Sequence, residues 1–560
     1  MTPSAGPAAS SPDPGMKPNP TSGRWQTLAA VLIVAAAAFV TFSRTLGHEF
    51  VNWDDDVYVY DNPVVRSLSP QRIGWLFSHF YYYAYIPVTM LSHAIDIAVW
   101  GMNPLGHHLT NVLLHSGNAA WVLILGCSLL RIAPGFPRAA GNRSAIVMGM
   151  SFAAVLFAVH PLRAESVSWV SDRKDLLCAF FFLPGVLAYV HYSSARGTAG
   201  GRRWYLASFS LFLLAVLSKP IAVTFPVVLL LLDWLLPGRE PRMRAQSLVR
   251  EKVPFLLTSL LLTILSFAMS PDGKRAYAVA HFSAFESFLF PFYSLSFSLY
   301  KTLLPLHLSP IYSRVGLGPM LAGLAVVATI TGACVFYSRR RRKGMLLAWL
   351  TYLLVLVPNV AGLSSGMQPV ADRYSYLSTI SIFVLLGAAL TSGWERGGGR
   401  RLAASAACVA LVMLLAGLTA SQADRWKSSA SLWEYVVASS PPKPDYTEAY
   451  LNLGAAYAHQ QRPVLARQIF ERAVDMDSAN AEASYNLGII SYAQGDRQKA
   501  VACFRRATEA DSLHARAFYN LAIVSDQLGM NEQAMAAMIR AARLGYKDAQ
   551  DALTSRGVSW

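Results

Sequence analysis

Charge is scarce in this chain. Only 14% of its 560 residues are Asp, Glu, Lys or Arg, against 54% hydrophobic residues. That balance excludes an ordinary soluble domain. Cysteine is scarcer still: Cys127, Cys178, Cys334, Cys408 and Cys503 show no paired or metal-ligand spacing. A disulfide framework or a zinc site is therefore not expected. Four of the five lie in apolar segments, where Cys serves as a small hydrophobe. Acidic residues are short in one part only. From Ser421 onward Lys/Arg and Asp/Glu balance at 15 each, so the net charge of +16 belongs to the first 420 residues. No nucleic-acid partner is expected; basic residues on the cytoplasmic loops of a membrane protein explain the excess better.

What the chain does have is apolar runs long enough to cross a bilayer. Residues 1–22 are a Pro/Ser/Ala/Gly-rich leader, expected to be disordered. The first apolar run follows it and reads as a retained span, not a cleaved signal. Spans are expected near 26–43, 108–130, 145–159, 176–192, 204–218, 221–236, 253–270, 319–337, 345–361, 376–392 and 402–420, about eleven in all. With a cytoplasmic N-terminus, the basic run Arg339–Lys343 stays inside only if Phe282–Leu304 forms a re-entrant or surface hairpin. The loop after the first span, and the soluble tail, then face the extracytoplasmic side. The expected fold is all-α: a polytopic bundle over 23–420, a linker helix over 421–446, and repeats over 447–560.

The repeats are the clearest signal. Asn452-Leu453-Gly454, Asn486-Leu487-Gly488 and Asn520-Leu521-Ala522 recur every 34 residues, as do Ala466/Ala500/Ala534 and Phe470/Phe504/Met538. A 34-residue period with small residues where helices touch is the tetratricopeptide pattern. It divides the tail into 447–480, 481–514 and 515–548 with a C-terminal cap. The concave face of such an array suits a protein or peptide partner.

Four outer-face stretches carry chemistry. Phe50–Pro63 holds Asp54, Asp55, Asp56 and Asp61 among aromatics; such a cluster can act as a general base or clamp a cation or substrate. His108, Asn111 and His115 fall on one helix face, either as a functional stripe or as interhelical hydrogen bonding. His160–Leu177 carries His160, Glu165, Arg173 and Lys174: a carboxylate that can orient a hydroxyl, and cations that can grip a phosphate. Lys219 in a short turn and Arg373 at a span start add cations at a bilayer surface, where snorkelling is the alternative.

These motifs together resemble the transmembrane, tetratricopeptide-bearing O-mannosyltransferases of the GT-C glycosyltransferase superfamily, as a bacterial relative. Phe50-Val51, Asp54-Asp55 and Asn62 look like the family's first-loop block. Gly106–His115 is similar to its Gly-x-His-x-x-Asn-x-x-Leu-His segment. His160-Pro161, Glu165, Val167, Arg173 and Asp175-Leu-Leu177 resemble its His-Pro signature, with Arg163 where a second His is usual. Asp372-Arg373-x-x-Tyr376-Leu377 resembles its acid-Arg block. The resemblance implies a multi-pass enzyme, in a bacterial inner membrane, moving a sugar such as mannose from a polyprenyl-phosphate donor to Ser/Thr hydroxyls on the extracytoplasmic side. It implies Asp54 or Asp55 as catalytic base. Glu165, Arg173, Lys174, Lys219, Arg373, His160 and His108 are the implied donor and substrate contacts. No cofactor is required; the aspartates leave a divalent cation at Asp54 and Asp55 open. A cell-envelope glycan or lipid as acceptor, or a non-catalytic scaffold displaying the repeats, are the competing expectations.

Overall fold

The computed structural model describes residues 20–81, 84–132, 143–235, 244–268, 283–339, 343–360, 368, 370–395 and 400–560. Most of the leader, and Arg340–Arg342 of the basic run, lie outside the described residues. Among the described residues every regular element is helical, apart from one isolated bridge between Tyr81 and Ala84. The membrane part runs α1 (Pro20–Phe42), α2 (Pro70–Ser78), α3 (Pro87–Trp100), α4 (Pro104–Ile132), α5 (Arg143–Ala158), α6 (Ala164–Ser168), α7 (Arg173–Ser194), α8 (Ala199–Ser218), α9 (Phe225–Leu235) and α10 (Arg244–Ala268). It continues through α11 (Ala284–Leu303), α12 (Leu317–Arg339), α13 (Lys343–Val360), α14 (Ser375–Ser378), α15 (Ile380–Glu395) and α16 (Arg400–Asp424).

The expected eleven spans do not stand. Among the described residues five helices are long and apolar enough to cross: Arg24–Gly47, Pro104–Ile132, Val170–Ser194, Leu317–Arg339 and Leu402–Asp424. The number reaches seven if two bent pairs each count as one span. Helix α9 has only 11 residues, about 16 Å at 1.5 Å per residue, half a hydrocarbon core. Helices α8 and α10, each with clustered charge in its first half, are not among the five. The Phe282–Leu304 hairpin is also corrected. Helix α11 is one continuous 20-residue helix opened by a Ser283/Glu286 capping box, and it packs closely enough on α12 that Gly323 sits against the Tyr293 backbone.

Two bends shape one end of the bundle. Residues Arg143–Ala158 and Pro161–Ser168 meet at 55°, and Asp372–Ser378 and Ile380–Trp394 meet at 54°. Pro161 removes one amide from the helical ladder at the first bend, and the His160 side chain caps the new start by accepting from Leu162 N. Each bend delivers a short polar segment to that end.

After α17 (Ser429–Ser439) come three helical hairpins: α18 (Thr447–His459) with α19 (Pro463–Met476), α20 (Ala481–Ala493) with α21 (Arg497–Ala510), and α22 (Ala515–Gln527) with α23 (Asn531–Arg543). Helix α24 (Lys547–Ser555) caps them. The period has a steric cause. A Cβ on Gly454 would lie 2.5 Å from the Phe470 ring, and one on Gly488 2.6 Å from Phe504. In the third repeat Ala522 takes the glycine's place and the more compliant Met538 replaces Phe.

Membrane part and repeats share one core. Val51, Trp169 and Ile311 belong to the same apolar cluster as Trp426, Trp433, Tyr450, Leu453 and Phe470. Segment 421–446 is therefore packed structure and not a free linker. The repeats stand at the end of the bundle where the first loop and the 160–175 segment lie.

Candidate active site

The first loop is held at two points. Asp55, 1% exposed, accepts from Val51 N at 3.0 Å through one oxygen, and from Ser171 N (2.9 Å) and Ser171 Oγ (2.5 Å) through the other. Burial pushes its carboxyl up to about 7, against the pull of those three hydrogen bonds. Asp55 thus ties the loop to the 170 segment. Asp54 is different. It is half-buried and adopts φ +67°, a left-handed conformation that costs a non-glycine residue about 1 kcal/mol. Among the described residues no hydrogen bond reaches its carboxylate. Asp56 starts the following turn, and burial raises its pKa.

Four of the implied contacts gather beside this loop as two buried pairs and a looser cation. Arg373 Nη1 meets Glu165 Oε1 at 2.5 Å, while Arg373 N donates to the other Glu165 oxygen at 2.8 Å. This pair locks the two helix bends to each other. Lys219 Nζ lies 2.6 Å from Asp175 Oδ2. Among the described residues Lys174 has no such close partner: its side chain is 14% exposed and Asp172 Oδ1 is 4.0 Å away. Its ammonium lies 5.1 Å from the ring centres of Tyr58 and Trp169, and Asp172 and Asp54 are the carboxylates acting on it. Asp172 is fully buried, and among the described residues neither of its oxygens accepts a hydrogen bond; its carboxyl abuts that of Asp175.

Three implied residues are engaged elsewhere. Arg173 is wholly buried and spends its guanidinium on protein: Asp96 Oδ2 at 2.6 Å, Asn111 Oδ1 at 2.8 Å and the His107 carbonyl at 2.8 Å. His108 contacts the Glu49 carbonyl at 3.4 Å and the His48 ring. His160 accepts from Leu162 N, so its Nε2–H donates to the Thr302 carbonyl at 2.9 Å, tying the first bend to α11. The stripe on α4 is interhelical bonding: Asn111 donates to the Val167 and Trp169 carbonyls, and His115 bonds Tyr376 OH and the Ala158 carbonyl. Arg163, in place of a histidine, donates to Thr379 Oγ1 at 2.9 Å and lies over the Phe157 and Tyr376 rings.

Asn52, Trp169 and Asp172 are not among the candidates that the sequence singles out. Asp172 sits inside a stretch rich in charge, so its type is visible there but its lack of a hydrogen bond among the described residues is not. Among the described residues no three His, Cys, Asp or Glu side chains converge as a ligand set. Asp54 and Asp55 do not form a pair of free ligands, because both Asp55 oxygens are taken.

Fold and site define a multi-pass helical membrane protein whose loops at one end of the bundle carry a carboxylate–cation cluster beside tetratricopeptide repeats. The tetratricopeptide repeat family matches residues 445–513 and 485–552. The chain is homologous over about a third of its length to the TMTC protein O-mannosyl-transferases of animals. It is 32% identical to human TMTC4 over 211 residues, which are 35% of this chain and 28% of that protein. It is also 32% identical to Drosophila melanogaster Tmtc1 over 224 residues, 38% of this chain and 24% of that protein. The match spans about a quarter of these relatives' length. They are animal proteins and lend no support to a bacterial source. Among solved structures, the crystal structure of MamA is 25% identical and covers 23% of this chain and 76% of its own, with a TM-score of 0.20.

Proposed function

We propose that the chain is an inverting membrane glycosyltransferase. It moves a sugar, mannose in the reading that its relatives' names favour, from a polyprenyl-phosphate donor to Ser/Thr hydroxyls of extracytoplasmic proteins held by the repeats. The observation that carries this reading is the juxtaposition of Asp54, half-buried and with no hydrogen bond to its carboxylate among the described residues, with Lys174, on which its charge acts and whose nearest carboxylate oxygen among them is 4.0 Å away. A serine hydroxyl is a weak nucleophile and needs a positioned base. The Asp54 carboxylate takes the hydroxyl proton as the oxygen attacks the anomeric carbon. The bond from that carbon to the phosphate oxygen breaks, and the electron pair leaves with the lipid phosphate. Lys174 meets the phosphate charge, with Lys219 and Arg373 adding to the local positive field. Glu165 holds Arg373 in place, and Arg173 with Asp96 and Asn111 supports the 170 segment. His160 and His108 serve as struts.

The membrane part and the repeats meet through the same loop, which favours acceptor delivery by the repeats over a passive scaffold. The test is purified full-length protein with a panel of labelled polyprenyl-phosphate sugars and an extracytoplasmic protein extract. Transfer with inversion from at least one donor is expected. No transfer from any of them sinks the enzyme reading.

A further inference from the structure

Asn52 lies two residues before Asp54, and its hydrogen bonds run to the repeat side of the molecule. Its backbone N donates to Ser429 Oγ at 2.9 Å. Its carboxamide Nδ2 donates to the Asn452 carbonyl in α18, also at 2.9 Å. Its Oδ1 accepts from Trp433 Nε1 at 2.8 Å. Three partners from 377 to 400 residues away in sequence thus converge on one side chain and its amide. The next residue continues the contact. The Trp53 ring meets Trp433 edge-on at 5.0 Å, and its carbonyl accepts from Trp169 Nε1 at 2.5 Å. Trp169 in turn stacks on Trp426 at 5.7 Å.

We infer that Asn52 is a positioning residue that fastens the Asp54 loop to the first tetratricopeptide repeat, so the repeats complete the catalytic loop and do more than recruit acceptors. The physical reason is the geometry around Asp54. Its left-handed φ is an unfavourable local conformation, and such conformations persist only when the surroundings over-determine them. On one side Asp55 is bonded to Ser171 of the membrane part. On the other, Asn52 is bonded to α17 and α18. Between these anchors the Asp54 carboxylate has no hydrogen bond of its own among the described residues, so its aim depends on both. An amide satisfied at both ends of its carboxamide fixes register as well as position. Loss of that register misplaces the base, and a misplacement of about 1 Å lowers a rate by up to about a hundredfold.

This inference rests on Asp54 being the base, and the experiment separates the two claims. Asn52→Ala, Trp433→Phe and the double variant are compared with wild type and Asp54→Asn as full-length protein. The readouts are sugar transfer and backbone hydrogen exchange over residues 50–58. Trp433→Phe keeps an aromatic ring and removes the indole N–H, so it guards against an Asn52→Ala variant that fails to fold. The expected result is faster exchange at Val51 and Tyr58 in both single variants, whose amides bond Asp55 and the Asp54 carbonyl. Turnover should fall roughly tenfold to a hundredfold with the donor KM unchanged, and the double variant should be no worse than the weaker single one. Unchanged exchange in Trp433→Phe overturns the coupling, as does wild-type turnover in Asn52→Ala while Asp54→Asn is inactive. Wild-type turnover in Asp54→Asn overturns the base assignment instead, and the exchange result then still decides whether the loop is fastened to the repeats.

Discussion

Asp55 accepts three donors in a closed pocket, whereas Asp54 is turned out of it by a positive φ. Two adjacent carboxylates therefore have separable roles. Asn tolerates the left-handed region about as well as Asp, so Asp54→Asn should leave the melting temperature unchanged while turnover drops about 10²- to 10⁴-fold. Asp55→Ala should do something else: it strands the Val51 amide and the Ser171 donors, and chemical denaturation should report a loss of about 1 to 3 kcal/mol. Asp55 also predicts a pH slope. Its folded pKa of about 7 exceeds the reference 3.8, so between those values the folded state holds the proton more tightly than the unfolded chain. Stability from this group is then full below about pH 4 and declines as pH rises toward 7. Melting curves across that window should show the decline, and Asp55→Asn should remove it.

At the scale of elements, the two helix bends and the repeat hairpins each rest on identifiable contacts. The Glu165–Arg373 pair joins the bends, and removing one partner of a buried pair costs about 3 to 5 kcal/mol. Arg373→Gln should therefore lower the thermal midpoint sharply, whereas a small change would mean that the bends are held by packing alone. Within the repeats, Gly454→Ala drives a methyl into Phe470 and should destabilise the first hairpin. The third repeat supplies its own remedy in the Ala522/Met538 combination. Gly454→Ala with Phe470→Met should recover most of the loss, read as a double-mutant cycle by circular dichroism. These hairpins are legible in the sequence because their cause is local and periodic: a glycine in one helix and a phenylalanine sixteen residues later. The bends are less legible. Pro161 marks one of them, but the second, at Ser378–Ile380, carries no proline, and counting apolar residues turns both into plain spans.

For the molecule as a whole, the residue types of the site are visible in the sequence and their pairing is not. Asp54, Lys174, Lys219, Arg373 and Glu165 stand out as charges at the ends of apolar runs. Which of them are already neutralised depends on partners up to 208 residues away, as for Glu165 with Arg373. Arg173 illustrates the same limit: a guanidinium that suits a phosphate is given over to Asp96 and Asn111. Asn52 has no signal at all, because its meaning lies in helices almost 400 residues downstream. The positive charge beside Asp54 comes from side chains, so chelation of divalent cations with EDTA should leave transfer unchanged, and a loss restored by magnesium or manganese would place a cation in the reaction. The most direct measurement sets Asp54→Asn beside Asp55→Asn, scoring labelled mannose transfer from polyprenyl phosphate and thermal unfolding on the same preparations. With Asp54 as the base, the Asp54 variant is folded and inactive, and the Asp55 variant is destabilised but retains turnover at low temperature; an active Asp54→Asn protein would contradict that role.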